Sequence, residues 1–185
     1  GEKLTGVYHA KDLVYHYNML PPFSTMEILI GARVVVVGAG NVMADVTRYL
    51  LSQAEVSEVH ICVRRGPAEV KFSRKELEPI IRYFDLPAFD REVARVADTM
   101  RAIGQDPDAE KASILCALER AEEPIRPASV HMHFLSSPSE IIGNEKGCVT
   151  GVRLENNTLV QVEGEVKARG TGSQWIQEAD TIIFA

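Results

Sequence analysis

The stretch RVVVVGAGNVMAD, Arg33 to Asp45, decides how this chain folds. Val34 to Val37 form an unbroken β-branched run, which suits a strand buried on both faces of a parallel sheet. Gly38 and Gly40 then permit backbone angles and close approaches that a side chain would forbid, and Asn41 to Ser52 is predicted to continue as a helix. Strand, glycine turn and helix N-terminus together favour anions, because free amide N–H groups and the positive end of the helix dipole converge there. On its own, such a GxG turn can equally be a tight strand-to-helix connection with no ligand.

The next strand sharpens the reading. Glu58 to Val63, EVHICV, is predicted to be extended, and it runs into Arg64, Arg65, Gly66 and Pro67. In a dinucleotide-binding unit this position lies beside the adenine ribose. A carboxylate there selects the free 2′-hydroxyl of NAD, and an arginine accommodates the 2′-phosphate of NADP. Here there are two arginines and no carboxylate, and guanidinium forks clamp phosphate well. From Arg64 to Lys75 five cations face the single carboxylate Glu69, in a chain whose formal net charge is −6. The alternative is a solvated basic loop. The third glycine-motif position, small where helix and strand pack closely, is Met43 here, with the small Ala44 beside it.

Length and composition bound the rest. At 185 residues and 45% hydrophobic content the chain can bury one core, with room for a helical excursion. The acidic balance argues against a nucleic-acid or anionic-membrane surface, so any anion site must be local. No run reaches the length of a membrane span. Cys62, Cys116 and Cys148 lack CxxC spacing and read as reduced, mostly buried thiols of a cytoplasmic protein. The chain does not begin with Met and ends on the apolar strand DTIIFA, which reads as a domain inserted in a longer polypeptide with its termini close together.

Along the chain, residues 1–31 read as a linker and helix from a domain junction, and 32–185 as the nucleotide-binding domain. Gly1 to Thr5 is linker-like, and a helix is predicted over His9 to Met19, stopped by Pro21 and Pro22. On that helix His9 and His16 would share one face. Ser73 to Glu76 matches a capping box, with nucleotide contact as the other role open to Glu76. Asp90 to Gly104 shows one apolar face and a closing glycine, and Asp106 with Pro107 starts a second helix whose stripe runs to Ala121. Ser129 to Leu135 alternates as a strand with His131 and His133 on one side and no third ligand in view. Glu140 to Ile142, Cys148 to Glu155 and Leu159 to Lys167 read as short strands of a meander, with turns at Gly143 to Gly147 and Asn156 to Asn157. Gly170 to Gly172 reads as a loop, and Thr181 to Phe184 returns to the main sheet.

GVYHAKDLVYHYNMLP, VVGAGNVMADVTRYLL, VHICVRRGPAEVKFSRKELEPI, HFLSSPSEIIGNEKGCVTGVRL and ADTIIFA fall in one order over most of the chain. Together they resemble the NADP-binding domain of the adrenodoxin reductase-type ferredoxin-NADP reductases. A more distant similarity is to the small subunit of glutamate synthase. Met43 stands where that family carries a small residue, and His16 where it carries an aromatic. The resemblance implies an α/β, Rossmann-like three-layer domain with a parallel sheet, a β-meander and a helical excursion. It implies that Gly38, Gly40, Asn41 and Val42 line the pyrophosphate, that Arg64 and Arg65 hold the 2′-phosphate with Glu76 nearby, and that Asp45 approaches the nicotinamide and flavin as a catalytic residue. It further implies NADP as the cofactor of this domain, FAD elsewhere in the same polypeptide, and a ferredoxin-like carrier as acceptor. A dinucleotide-sensing module without a flavin, and a non-binding structural domain closed at Met43, are the other readings.

Overall fold

The valine run forms the middle of a sheet in a computed structural model that describes residues 3–185. In chain order the elements are β1 (Val7–His9), α1 (Ala10–Tyr17), β2 (Arg33–Val37), α2 (Asn41–Ser52), β3 (Glu58–Cys62), α3 (Arg74–Leu77), α4 (Leu86–Arg101) and α5 (Pro107–Leu115). Strands β4 (Ser129–His133), β5 (Ser136–Gly143), β6 (Val149–Val162), β7 (Glu165–Glu178) and β8 (Thr181–Phe184) complete the chain.

Five strands make a sheet of order β1-β8-β2-β3-β4, parallel at every pairing. Its two faces are covered differently, which is why β2 carries no polar alternation. Val34 and Val36 pack into the larger core with the helices, beside Val46, Leu50, Ile61, Phe89 and Met132. Val35 faces the other way, with Cys62 and Ile182, against Val149, Val152 and Leu154 of the antiparallel sheet β5-β6-β7. The architecture is thus three layers, helices, parallel sheet and meander, as the sequence leads one to expect. No helix among the described residues is long and apolar enough to cross a membrane.

Helix punctuation follows local chemistry. Asp85 Oδ1 accepts from Ala88 N at 2.9 Å and starts α4 four residues before the predicted Asp90, with Pro87 tolerated in the first turn. Gly104 takes φ +81° just past its end, and Asp106 Oδ1 caps α5 through the N–H groups of Asp108 and Ala109 at 3.0 and 3.2 Å.

Several expectations need correction. Gly1 and Glu2 of the proposed linker lie outside the described residues, and Thr5 is no linker residue: it bridges to Cys148, its N–H donating to Gly147 O at 2.9 Å. Val7–His9 adds an edge strand, and Ala10 and Leu13 are buried in the main core, so this segment is continuous with the domain. His9 precedes α1 instead of sharing its face with His16, whose Nδ1 pairs with Phe23 O at 2.9 Å. Of the cysteines only Cys62 is buried, its thiol pushed up to about 12 by desolvation first and by Glu92 second.

The meander differs most. Asn156 and Asn157 do not turn the chain; they sit in a register shift inside the 14-residue β6. The hairpin turns at Glu163 and Gly164, at φ +53° and +82°, and Gly170 to Gly172 lies within β7 instead of a loop. Histidines 131 and 133 also gain company. His60 stacks on both across β3 and β4, ring centroids 4.9 and 5.3 Å apart, and His60 Nδ1 meets His133 Nε2 at 3.0 Å. Trp175 of the meander closes over His133 at 5.2 Å. Among the described residues no three His, Cys, Asp or Glu side chains are arranged to hold a metal ion.

Candidate functional site

A cleft of about 650 Å³ opens where the C-terminal ends of β2 and β3 meet the start of α2. Gly38, Ala39 and Gly40 form one wall, and Arg64, Arg65, Glu69 and Lys71 of the segment after β3 another. The third wall comes from the meander, including Ser137 of β5 and Lys167 of β7.

The glycine turn is built by two different requirements. Gly38 adopts φ +152°, and a Cβ there would lie 2.6 Å from the carbonyl oxygen of Ala185. Gly40 sits at φ −112° as the N-cap of α2, and a Cβ there would meet nothing within 4 Å. Gly38 therefore serves the fold, while Gly40 leaves open space. Gly38→Ala is expected to lower unfolding free energy by about 2–3 kcal/mol, and Gly40→Ala by no more than about 1 kcal/mol, in chemical denaturation. Equal losses would contradict this division.

The arginines project from a backbone held on several sides. Val63 N donates to His133 O at 2.8 Å, Ser136 N to Val63 O at 3.0 Å, and Leu135 N to Arg65 O at 3.1 Å. Asn157 Nδ2 donates to Arg64 O at 2.9 Å, and Gly66 N to Glu69 Oε2 at 2.9 Å. Glu69 also accepts from Gln105 Nε2, so the one carboxylate of this segment is engaged in bracing it. A second set of bonds ties the segment to the glycine turn: Lys71 N donates to Ala39 O at 2.7 Å and Ser73 N to Asn41 Oδ1 at 3.0 Å.

Ion pairs among the described residues engage Arg33, Arg48, Arg74, Arg82, Arg95, Arg101, Arg153, Lys111 and Lys167, and leave Arg64, Arg65 and Lys71 without a carboxylate partner. The cleft thus presents Arg64, Arg65, Lys71 and Lys167 against Glu69 and Glu165, a cationic lining in an acidic chain. Lys167 itself lies 3.8 Å from Glu165.

Of the residues singled out in the sequence, Gly38, Gly40, Arg64 and Arg65 share this cleft, and four do not line it. The Asn41 side chain is occupied by Ser73 N. Val42, 48% exposed, lines a separate hollow of about 500 Å³ with His9, Lys11, Asp12 and Phe184. Asp45 is exposed three residues further on the same helix, close enough to Tyr17 to raise its phenol pKa, behind the larger effect of burial. Glu76 is half-buried in α3, where Ser73 Oγ accepts from its N–H at 3.4 Å, one half of the expected box. Met43 is 1% exposed, packed in the core with Thr47 Oγ1 donating to its Sδ at 3.6 Å, and does not line the cleft. Lys71, Ser137 and Lys167 went unassigned in the sequence; only Lys71 carried a signal, as one of the cations after Arg65.

A parallel sheet with a glycine turn between β2 and the head of α2, and a cationic cleft at the strand ends, defines a dinucleotide-binding α/β domain. No protein-family model matches the chain. The NADPH-ferredoxin reductase FprA of Mycobacterium tuberculosis is 34% identical over 213 residues, spanning 99% of this chain and 45% of that protein. The mitochondrial NADPH:adrenodoxin oxidoreductase of Arabidopsis thaliana is 27% identical over 208 residues, covering 93% of this chain and 42% of its own length. The structure of M. tuberculosis FprA in complex with NADPH superposes over the whole of this chain and 45% of that one, with TM-score 0.77 at 28% identity. Over this stretch the chain is similar to the adrenodoxin reductase-type ferredoxin-NADP reductases, and it spans less than half the length of these two relatives.

Proposed function

We propose that the cleft binds NADPH, with the 2′-phosphate at Arg64 and Arg65 and the pyrophosphate at the glycine turn, and that the protein is a flavin-dependent oxidoreductase of the ferredoxin-NADP reductase type. The observation that carries this is the pair of guanidinium groups, free of carboxylate partners, on a backbone pinned at the end of β3. A group held before the ligand arrives loses less entropy on binding, and two forks match the oxygens of a phosphate.

The residues present fit the cofactor. Gly40 keeps a side chain away from the approach to the α2 N-terminus, and Lys71 and Lys167 add positive charge to the same cleft. NADPH held there would supply a hydride, two electrons and a proton, to an FAD elsewhere in the polypeptide, and the flavin would pass the electrons singly to a ferredoxin-like carrier. In this reading Val42 and Asp45, three residues apart and hence on one face of α2, look toward the flavin-binding domain, with Asp45 as the catalytic-side residue. Asn41 acts by joining the glycine turn to the arginine segment, and Glu76 acts from α3 behind it. A reducing compartment such as the cytoplasm suits the buried, protonated Cys62.

Titration calorimetry of the full-length protein with NADP and, separately, NAD tests the assignment. NADP is expected to bind at least about tenfold more tightly, the worth of one charge-assisted phosphate contact. Equal affinities would overturn the 2′-phosphate assignment.

A further inference from the structure

The meander is more than a cover for the second sheet face. In β6 the ladder to β7 slips between Glu155 and Asn157, so that Asn156 is skipped and Asn157, opposite Gly170, resumes the pairing beside the bulge. Its N–H donates to Leu135 O at 2.7 Å, and its carboxamide, 8% exposed in the residue as a whole, donates to Arg64 O at 2.9 Å and to Ser137 Oγ at 2.8 Å. All three partners lie outside β6: one is the arginine segment and two flank the start of β5. A smaller hollow of about 340 Å³, lined by Arg64, Ser137, Glu155 and Asn157 among others, adjoins the same arginine.

We infer that Asn157 is a positioning residue for phosphate recognition: it holds the Arg64 peptide so that the guanidinium projects into the cleft, and thereby makes the meander a determinant of NADP over NAD selectivity. This inference rests on the reading of the cleft as an NADP site. The bonds on either side of Arg64 end on Val63, Arg65 and Gly66, and the Arg64 carbonyl itself is held by Asn157. Removing the carboxamide frees one peptide plane of a segment that is otherwise fixed. The loss should fall on the ligand that needs Arg64, the one with a 2′-phosphate, and spare the one without it.

The test compares dissociation constants for NADP and NAD in the full-length protein and in its Asn157→Ala, Asn157→Ser and Asn156→Ala variants. Asn157→Ala is expected to reduce the ratio of NAD to NADP dissociation constants by about five- to tenfold, the worth of one hydrogen bond. Asn157→Ser, whose hydroxyl is too short to span both contacts, should do the same, and it serves if the alanine variant does not fold. Asn156→Ala, at the neighbouring residue whose carboxamide donates to Ser173 Oγ and which does not line the cleft, leaves the Arg64 contact in place and should keep the ratio within about twofold of the parent. In an Arg64→Ala background the Asn157 substitutions should change the ratio no further. A parent that prefers NADP, with Asn157 variants that lose stability but keep its ratio, would reduce Asn157 to a structural role and overturn the inference alone. A parent with no preference would overturn both the inference and the NADP reading beneath it.

Discussion

Replacing Arg64 and Arg65 together by alanine is expected to weaken NADP binding by about a hundred- to a thousandfold while leaving NAD binding within about threefold of the parent. The size follows from the charges removed. Hydrogen bonds to charged groups contribute about 1.5–3 kcal/mol each, and two acting on one phosphate are not fully additive. A combined loss of about 3–4 kcal/mol corresponds to that range in affinity. The selectivity follows from the proposed binding mode: both side chains stand just after β3, on a different wall of the cleft from the glycine turn, where the pyrophosphate common to both ligands is proposed to sit. Neither guanidinium has an ion-pair partner among the described residues, so their removal leaves no orphaned carboxylate, and the thermal midpoint should hardly move. Calorimetric titration with each dinucleotide reads the result. Equal weakening of NADP and NAD would mean that the pair serves the pyrophosphate instead.

Acidification is expected to destabilise the protein through the histidine stack, by about 2 kcal/mol between pH 7 and pH 5. Burial, and then the neighbouring His60, His131 and Arg95, push His133 down to about 3, and burial with His131 lowers His60 against the opposing pull of Glu58. The other polar neighbours touch His131: Asp85 lies 3.9 Å from its Nδ1, and Ser129 Oγ meets its Nε2 at 2.9 Å. A histidine whose folded pKa is depressed stays neutral in the native state, while the unfolded chain binds a proton below about 6.5. Stability is therefore full above that value and falls as pH drops through the window toward 3, at about 1.4 kcal/mol per pH unit for His133. Urea unfolding at a series of pH values measures it, with the window kept above pH 5 so that most carboxylates stay ionised. His133→Gln should flatten the profile. A parent profile already flat between pH 7 and pH 5 would show that the stack accommodates charge. Because Trp175 packs on His133, its fluorescence reports whether the meander loosens first.

The arginine pair was legible and the histidine stack was not, for one physical reason. Arg64 and Arg65 follow a strand directly, and the second strand of a βαβ unit ends beside the ribose whatever else the chain does. His60 and His133 are 73 residues apart and meet only because β3 and β4 pair in a particular register, Cys62 opposite His133 and His60 opposite His131. The Asn156–Asn157 pair shows the same limit from the other side. Asparagines between two apolar runs resemble a turn, but here the carboxamide of Asn157 is satisfied by Arg64 O and Ser137 Oγ, so the strand continues through a bulge.

By itself, then, the sequence determined the strand-turn-helix of β2 and α2, the caps of α3 and α5, and the cationic end of β3. These depend on neighbours in the chain: β-branching, glycine freedom, side chains that bond amides two or three residues away, and the charge of adjacent residues. Only the tertiary structure decided that Asn41 braces one segment against another, that Val42 faces a different hollow, that Met43 is turned into the core, and that Ser137 and Lys167 of the meander complete the cleft. Those outcomes are set by strand register and by which face of an element is buried. Both arise from burial summed over the whole domain, which no local stretch encodes.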